Sequence, residues 1–390
     1  MHLNINETVT GEEFFISEWT DFLCKDLFRN KSLLHIKNNI IKSNINPYKN
    51  NIYKNTDLNR ILKQKVKKRI VEEQYITPAF NKVFSPATVI NDGFIARNGM
   101  QLSSTLRFAG DKVHKHYANF FEPSGYISDI ATLGSTGLVG ITVDSTSRFI
   151  DLDLVYTNVI ASDSPKCITA YMDIAPYSKV CIHENISNND ILRFYNIVYI
   201  IREGAEVLLS RYYTGKDTSA MHLHHSKIIQ HPASKLTITN QNNNCYYLQE
   251  FFDITVYQDC LTDIDLKYCV KESSSVHVIT DIKHIDKNSK SNVSVRSTVD
   301  DISKFSFVGN IDVNEKATDV DARLENKNLQ LSSTASIITE PRLDIRNKDI
   351  SCTHGCTVSY VDPDDVYFLN SRGIDSESAK TIISEAFLNV

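Results

Sequence analysis

The chain has 390 residues, a length that suggests two to three domains, and it carries 42 lysines and arginines against 47 aspartates and glutamates. The net charge of −5 gives no general basic field, which argues against nucleic-acid binding, because such binding depends on neutralising phosphates. Apolar residues make up 42%, enough for a sizeable core, whereas 13 glycines and 9 prolines exclude collagen-like and glycine-rich linker architectures.

Targeting and membrane signals are not visible in the sequence. No run approaches the ~18 to 20 consecutive apolar residues of a membrane span, and the first 20 residues lack the basic flank and apolar stretch of a secretory signal. The eight cysteines are scattered along the chain, unlike a disulfide framework. These observations predict a cytoplasmic protein that binds neither membranes nor nucleic acid.

Residues 1–83 are predicted to be a helical N-terminal region with an asparagine-rich connector. Apolar spacing of three and four residues indicates one helix across roughly 12–28 and a second one marked by Leu58, Ile61, Leu62, Val66 and Ile70. The asparagine-rich stretch between them is typical of a loop. A basic run over 63–69 fits a solvated helix face better than a nucleic-acid or membrane patch.

From about Phe84 to residue 358 the apolar period changes from near 3.6 to two, which indicates strands. The alternating sets are Val139, Ile141 and Val143; Ile150, Leu152 and Leu154; Ile168, Ala170 and Met172; Leu236 and Ile238; Val276 and Val278; Val293 and Val295; Phe305 and Phe307. No amphipathic helix of a dozen residues separates them, so a doubly wound sheet or an α/β barrel is not expected. A sandwich, a barrel and a solenoid all fit this pattern.

Helix returns in residues 359–390. Asp362 and Pro363 predict a helix start, Gly373 predicts its end, and Ser376 is a candidate cap for a second helix. The second helix carries an apolar stripe of Ala379, Ile382, Ile383, Ala386 and Phe387. Such a stripe either packs back on the β-core or receives another protein.

Several catalytic signatures are missing, and two histidine-containing segments are ambiguous. The sequence has no phosphate-binding loop, no nucleophile elbow, no H-E-x-x-H and no paired C-x-x-C motifs. A solvated or packed histidine-rich strand explains His222, His224, His225 and His231 better than a metal site does. Cys181 and His183 are two metal-ligating residues at i and i+2, but an isolated pair is weak support for a site.

The most informative stretch is residues 349–358, where a strand would place Cys352, His354 and Cys356 on one face with Ile350 and Val358. Two thiols and an imidazole favour zinc, copper(I) or an iron–sulfur cluster. Neighbours on one strand face lie ~6.6 Å apart, so metal bonds of ~2.0 to 2.3 Å cannot join all three side chains. A metal or cluster here needs further ligands from another coil or chain. Two packed cysteines and a hydrogen-bonded histidine explain the stretch equally well.

Residues 284–387 contain an ordered series of short motifs. They are His284; Phe305-Ser306-Phe307-Val308-Gly309-Asn310-Ile311-Asp312-Val313; Ala317-Thr318-Asp319; Asn326-Lys327-Asn328-Leu329-Gln330-Leu331-Ser332; Pro341-Arg342-Leu343-Asp344-Ile345; Cys352-Thr353-His354-Gly355; and Val366-Tyr367-Phe368-Leu369-Asn370-Ser371-Arg372-Gly373-Ile374. In this order the series resembles the C-terminal half of the SufB/SufD family of iron–sulfur cluster assembly proteins. The Cys-x-His-Gly form is similar to SufD rather than to SufB.

The resemblance implies a mainly β fold, with a right-handed parallel β-helix core at 84–358 and helical regions at 1–83 and 359–390. It implies a non-catalytic scaffold subunit that pairs with a SufB-like protein, docks the SufC-like ATPase and helps deliver clusters to apoproteins. It also places Cys352 and His354 at the partner interface, near a transient iron–sulfur cluster. Cys356 is a weaker candidate, because it stands where the family usually has Ala. The terminal stripe becomes the ATPase-docking element, and the chain's end soon after Phe387 predicts a smaller interface there than in longer relatives.

Two other functions compete with this interpretation. One is a SufB-like cluster carrier that acts as a homodimer, which would be isolated with iron in the absence of a partner. The other is a β-helix carbohydrate-active enzyme, which would need acids and bases clustered along a groove, and a secretory signal.

Overall fold

The computed structural model describes residues 8–10, 65–67, 88–89, 94–98, 106–108, 118–121, 125–135, 138–143, 149–156, 166–187, 192–214, 219–242 and 245–389. Its strands are β1 Thr8–Thr10, β2 Lys65–Lys67, β3 Thr88–Val89, β4 Phe94–Asn98, β5 Leu106–Phe108, β6 Leu138–Val143, β7 Phe149–Tyr156, β8 Lys166–Ile174, β9 Lys179–Ser187, β10 Leu192–Ile201, β11 Glu206–Thr214, β12 Met221–Gln230, β13 Lys235–Asn242, β14 Tyr247–Val256, β15 Leu261–Val270, β16 Ser275–His284, β17 Lys290–Val299, β18 Lys304–Val313, β19 Val320–Gln330, β20 Ser336–Ile345 and β21 Ile350–Tyr360. The helices are α1 Tyr126–Gly134, α2 Pro363–Asn370 and α3 Ser376–Asn389, with a short 3-10 helix at Ala118–Phe121.

The strands from β6 onward form a parallel β-solenoid of about seven turns. The chain alternates between two sheets, so that even-numbered strands stack in one sheet and odd-numbered strands in the other. In the even-numbered sheet, Leu192 pairs with Met221, Met221 pairs with Tyr247, and Lys304 pairs with Ser336, so the sequence separation between partners varies from coil to coil. The mainly β fold, and the solenoid among the three architectures that the sequence allowed, are therefore confirmed.

Successive coils turn at a stacked corner with a repeated backbone geometry. Ala233, Asp259, Asn288 and Asp319 occupy equivalent positions with φ between 55° and 60°. The amide of Asp259 donates to Lys287 O at 3.2 Å, and the amide of Asn288 donates to Thr318 O at 2.8 Å. Asn and Asp tolerate this left-handed conformation better than most residues, which explains their frequency between the strands.

Side-chain alternation builds the interior of the solenoid. In β15, the inward residues Ile264, Leu266 and Tyr268 are buried, whereas Asp263 and Asp265 on the other face are exposed. This pattern matches the predicted period of two, because one face of each strand packs against the facing sheet and the other meets solvent. One continuous apolar core results, from Ile141 near the first coil to Ala335 near the last.

Strand β10 departs from this pattern because helix α1 covers the outer face of its sheet. Every residue of β10 is buried. Asn196, on the outer face, donates through Nδ2 to Thr132 Oγ1 of α1 at 2.9 Å. Ile127 and Ala131 of α1 are fully buried. The sequence analysis did not predict this helix.

The two ends of the solenoid differ. At the N-terminal end, β4 pairs antiparallel with β7, and β5 pairs antiparallel with β6, so these strands cover the sheet edges there. At the other end, β20 and β21 are the last strands of their sheets. The C-terminal coil therefore presents two strand edges that no described strand covers.

The C-terminal helices follow β21, as the sequence predicts. Asp362 caps α2 by accepting the Asp364 amide at 2.9 Å, and Gly373 after the helix has a φ of 84°. The cap of α3 differs from the predicted Ser376, because Asp375 Oδ1 accepts the amides of Glu377 and Ser378. No helix in the described part of the chain is long and apolar enough to cross a membrane.

The predicted second N-terminal helix is wrong at residues 65–67. These residues form β2, which pairs antiparallel with β1 through Val9 and Val66. A β-branched valine between two lysines suits a short two-strand ladder, and this local pairing outweighs the helical apolar spacing. The predicted helix at 12–28 and the rest of the second one lie outside the described residues.

Candidate functional site

The inward face of β21 forms an open row at the C-terminal end of the solenoid. Cys352, His354 and Cys356 pair in register with three residues buried in the preceding coil: Ala322, Leu324 and Asn326. They therefore continue the inward-facing column together with Ile350 and Val358. We call these five residues the terminal row.

Exposure distinguishes the terminal row from the columns beneath it. Cys352 and Cys356 are half-buried and His354 is exposed, although their register partners in β19 are buried. The difference arises because no described coil stacks on β21. A thiol and an imidazole are thus presented at positions that belong to the interior elsewhere in the solenoid.

Cys352 is anchored by the core and remains a neutral thiol at pH 7. It packs against the hydrophobic core at the end of the solenoid. Burial, followed by the negative charge of Asp321, raises the pKa of the Cys352 thiol. Formation of its thiolate would therefore require a cation or a metal ion nearby.

Cys356 is held by contacts within the chain. Its Sγ lies 3.0 Å from Thr339 Oγ1 of β20 and 3.7 Å from Asn326 Oδ1 of β19. Thr339 Oγ1 also donates to Asn326 Oδ1 at 2.8 Å. Sequence reasoning missed Thr339 and Asn326 as neighbours of this thiol, because both reach it through the register of other strands. These contacts hold the Cys356 thiol through polar neighbours, whereas Cys352 packs against the apolar core.

The terminal row does not form a three-ligand metal site by itself. Among the described residues, the donor atoms of Cys352, His354 and Cys356 do not form a group within 4.8 Å of one another. The strand spacing predicts this result, because alternate residues on one face are ~6.6 Å apart. A metal or cluster bound here would need ligands from outside the row.

The apolar stripe predicted on α3 is divided between two environments. Ala379 is buried, Ile383 and Phe387 are half-buried, and Ile382 and Ala386 are exposed. The helix is fixed to the outer face of the solenoid by two contacts: Ser384 Oγ lies 2.7 Å from Thr298 Oγ1, and Lys380 Nζ lies 3.3 Å from Asp300 Oδ1. The stripe therefore packs back on the β-core in part and leaves a second part open.

Helix α2, which contacts α3, also exposes aromatic side chains. Tyr367 is 74% exposed and Phe368 is 54% exposed, and the guanidinium of Arg372 lies 4.5 Å from the centre of the Phe368 ring. No residue of α2 is buried. We call Tyr367, Phe368, Ile382 and Ala386 the helical surface; these exposed apolar side chains lie on two contacting helices and are of the kind used to bind other proteins.

A second concentration of polar residues, which sequence reasoning missed, lies inside the solenoid. Arg211 donates through Nε to Glu184 Oε2 at 2.8 Å, through Nη1 to Glu250 Oε1 at 2.9 Å, and through Nη2 to Ser226 Oγ at 2.9 Å. Burial alone would lower the pKa of Arg211, but the charges of Glu184 and Glu250 contribute to raising it well above its usual value. The sequence indicates this cluster by placing charged residues at the inward positions of otherwise apolar strands.

Three tyrosine hydroxyls complete this interior cluster. Tyr213 Oη donates to Glu250 Oε1 at 2.9 Å, Tyr268 Oη donates to Glu250 Oε2 at 2.5 Å, and Tyr199 Oη donates to Glu184 Oε1. Burial, then the nearby glutamate charge, raises the pKa of each tyrosine well above 10. The tyrosines are therefore permanent donors to the carboxylates, and the cluster is hydrogen-bonded as a buried charge requires.

The histidine-rich strand β12 is packed, as expected. His222 and His224 point inward, and the ring of His224 stacks on Tyr195 at 4.6 Å between centroids. His225 faces the opposite side, where its Nδ1 lies 3.1 Å from Asn196 Oδ1. Burial lowers the pKa of His222 and His224 well below 6.5 and that of His225 to about 4, so all three are neutral at pH 7.

Comparisons with known proteins agree on one family. Residues 170–387, more than half of the chain, match the family described as "SUF system FeS cluster assembly, SufBD core domain". The chain is 35% identical over 92 residues to the iron–sulfur cluster assembly protein SufD of Escherichia coli, a segment that covers 24% of this chain and 22% of that protein. It is 37% identical over 89 residues to an iron–sulfur cluster assembly SufBD family protein of Synechocystis, covering 23% and 20%. It is 31% identical over 109 residues to SufD of Bacillus subtilis, covering 28% and 25%. Each alignment spans a quarter or less of the curated relative it matches.

Proposed function

The chain belongs to the SufBD core domain family of iron–sulfur cluster assembly proteins, and from that premise we propose that it is a SufD-like scaffold subunit. In this role it pairs with a SufB-like protein, docks a SufC-like ATPase and supports the transfer of nascent clusters to apoproteins. It supplies binding surfaces and cluster ligands, and the ATPase supplies the energy.

The open C-terminal coil is the observation that carries this proposal. The edges of β20 and β21 leave backbone donors and acceptors available to another chain, and the terminal row lies between them. An uncovered strand edge is a ready template for strand addition, so a partner with a similar end would continue both sheets. Two relatives with the printed name SufD are consistent with a SufD-like role for this chain.

The nascent cluster would be shared between the partners at the terminal row. Cys352 offers a thiol and His354 an exposed imidazole, both of which ligate iron in iron–sulfur proteins. Because these two side chains are ~6.6 Å apart along the strand, the remaining ligands would come from outside the terminal row, and the proposed partner would supply them. Cys356 is a weaker contributor, because Thr339 and Asn326 already contact its thiol.

The helical surface is the proposed docking site for the ATPase. It combines the exposed aromatic pair of α2, Tyr367 and Phe368, with Ile382 of α3. Lys380 and Ser384 hold α3 on the solenoid, so the surface is presented by a fixed helix. Burial of apolar side chains of this size contributes on the order of 1.5 to 3 kcal/mol each.

Co-expression with candidate SufB-like and SufC-like chains tests the proposal. The complex would be purified anaerobically, and its iron and sulfide content measured. We expect Cys352→Ser and His354→Ala to lower cluster content at least several-fold, while the complex still forms. The melting temperature of isolated His354→Ala should stay close to that of the parent, because truncation of an exposed side chain usually costs under ~0.5 kcal/mol. Cys352→Ser should lower it somewhat more, because Cys352 is half-buried against the core.

Two further variants serve as controls. Cys269→Ser removes another half-buried cysteine from the outer face of the same sheet and should leave cluster content unchanged. Cys356→Ala should be milder than Cys352→Ser. Normal cluster content in both Cys352→Ser and His354→Ala, together with a large fall in melting temperature, would show that these residues only pack.

Purification of the chain alone separates this role from that of a homodimeric SufB-like carrier. A brown, iron-containing homodimer that forms no complex with a SufB-like chain would overturn the SufD-like assignment. A colourless chain that gains cluster only in the complex would support it.

A further inference from the structure

Metal-ligating side chains of three types meet on the outer face of the odd-numbered sheet, near the N-terminal end of the solenoid. In the register of β7 with β9, Asp151 pairs with Cys181, and Asp153 pairs with His183. These four residues alternate with interior residues such as Ile182, so they share the outer face. Residues from two successive coils, far apart in sequence, thus become neighbours across one strand pair.

The donor atoms are close to the spacing of a tetrahedral metal site. His183 Nε2 lies 3.1 Å from Asp151 Oδ1 and 3.2 Å from Cys181 Sγ, and ligand atoms of all three residues lie within 4.8 Å of one another. A tetrahedral zinc ion separates nitrogen and oxygen ligands by about 3.4 Å, and nitrogen and sulfur ligands by about 3.6 Å. The two distances from His183 Nε2 therefore need to change by only a few tenths of an ångström to admit the ion.

We propose that Asp151, Cys181 and His183 form a binding site for one Zn²⁺ ion. Thiolate and imidazole ligands favour zinc over magnesium or calcium, and the carboxylate adds a second negative charge. Three protein ligands leave the fourth tetrahedral position to a water molecule. The carboxyl group of Asp153, beside His183 in register, adds to the negative field that attracts a cation.

One ligand of this site is buried, and the other two are partly exposed to solvent. Cys181 is buried at 5% exposure, whereas the side chains of Asp151 and His183 are 43% and 27% exposed, so an ion can enter from solvent. The His183 ring lies 6.1 Å from the ring of Tyr212 on β11, which limits its movement on one side. Ligands on paired strands are also held more rigidly than ligands on loops.

The bound ion would join two successive coils. Asp151 belongs to one coil and Cys181 and His183 to the next, so coordination adds a link between β7 and β9. A ligand that binds only the folded chain raises its stability by mass action. Without a metal, the same residues make a 3.1 Å contact between His183 Nε2 and Asp151 Oδ1 and a 3.2 Å contact between His183 Nε2 and Cys181 Sγ, and metal binding distinguishes the two descriptions.

Cobalt(II) titration of the purified full chain tests the site. The chain would be stripped with a chelator and kept reduced and anaerobic. The titration would be run in a Cys352→Ser/Cys356→Ala background, which removes both thiols of the terminal row. We expect one equivalent of Co²⁺ to give a thiolate-to-cobalt charge-transfer band and tetrahedral ligand-field bands, which one equivalent of Zn²⁺ abolishes. Zn²⁺ should also raise the melting temperature by several degrees.

Ligand variants and a matched control decide the assignment. In the same background, Cys181→Ser should remove the charge-transfer band, and His183→Gln and Asp151→Asn should each weaken Zn²⁺ binding at least tenfold. Cys269→Ser, on the outer face of the same sheet, should retain the band. Asp151→Asn keeps the size of an exposed side chain, so it reports on binding even if Cys181→Ser fails to fold. A band that persists in Cys181→Ser, or Zn²⁺ affinity unchanged in both His183→Gln and Asp151→Asn, would overturn the proposal.

Discussion

The guanidinium of Arg211 is buried in the described interior and hydrogen-bonded through three of its nitrogens. It bonds Glu184, Glu250 and Ser226 at 2.8 to 2.9 Å, and both ion pairs are at most 1% exposed. The cost of burying three charges is offset only while every charge is paired. Arg211 therefore holds β9, β11, β12 and β14 together through side chains rather than through backbone ladders.

Arg211→Met is predicted to destabilise the fold strongly. The substitution leaves the carboxylates of Glu184 and Glu250 buried without a cation, a change that costs on the order of 3 to 5 kcal/mol. The midpoint of urea unfolding should therefore fall sharply. Neutralising both carboxylates as well, in Arg211→Met/Glu184→Gln/Glu250→Gln, should recover part of the loss, because no buried charge then remains unpaired.

Arg346→Met is the matched control for that experiment. Arg346 pairs with Asp344 at 2.7 Å, but both side chains are 54% exposed, and such surface pairs contribute at most about 1 kcal/mol. Equal losses in Arg211→Met and Arg346→Met would contradict a special role for the interior cluster.

The alternation of apolar residues predicts individual strands well because each inward position must fill the solenoid. The sets at 150–154, 168–172 and 293–295 all lie in observed strands, β7, β8 and β17. Strand β10 contains an indication of helix α1 that the sequence analysis did not use. The unbroken burial of β10 requires a cover on the outer face, since a strand open to solvent on one side would alternate.

The register between coils could not be predicted from the sequence. Coils of unequal length occur in the same sheet, as the pairs Leu192–Met221, Met221–Tyr247 and Lys304–Ser336 show, so no fixed repeat relates a residue to its neighbour in the next coil. Cys181 and His183 are recognisable as a pair within one strand, but Asp151 joins them only through the β7–β9 register. The internal spacing of the terminal row was predictable because all its members belong to β21.

The exposed part of helix α3 leads to a prediction about partner binding rather than about the stability of the fold. Ile382 is 44% exposed, whereas Ala379 is buried and Ile383 is half-buried. Ile382→Asp should therefore weaken binding of a SufC-like ATPase at least tenfold, because it places a charge in the helical surface. Pairing with a SufB-like chain and the melting temperature should change little.

Thr381→Asp is the control for this variant. It introduces the same charge at the adjacent exposed position, outside the apolar stripe. Affinities for each partner can be measured by pull-down and by titration. Retention of the ATPase by Ile382→Asp at the level of the parent would refute the docking assignment. Ile383→Asp is a poorer test, because a half-buried residue couples binding to the packing of α3.

At the scale of the whole molecule, antiparallel strands cover one end of the solenoid, and no strand in the described part of the chain covers the other end. Antiparallel strands β4 and β5 cover the N-terminal sheet edges, whereas β20 and β21 end the sheets at the C-terminal side. In stacked-coil proteins each coil is stabilised mainly by its neighbours, so the last coil gains most from a partner. The partner that we propose for this end would therefore contribute both stability and ligands at the terminal row.

The buried histidines allow a prediction of how the free energy of unfolding of the solenoid depends on pH. Burial lowers the pKa of His225 and of His284 to about 4, and lowers those of His222 and His224 well below 6.5. The unfolded chain, with histidine pKa values near 6.5, binds more protons than the folded chain between about pH 6.5 and 4. The free energy of unfolding should therefore fall as the pH drops through this window.

The size of this effect is measurable with single substitutions. Each pH unit between the folded and unfolded pKa values corresponds to about 1.4 kcal/mol, so His225 or His284 alone accounts for about 3 kcal/mol between pH 7 and 4. Urea unfolding of the isolated chain at several pH values should show a smaller pH slope for His225→Gln and for His284→Gln than for the parent. His231→Gln should change the slope less, because burial lowers the pKa of this half-buried ring by a smaller amount. Slopes identical to the parent in both buried-histidine variants would show that these rings are not what makes the fold acid-sensitive.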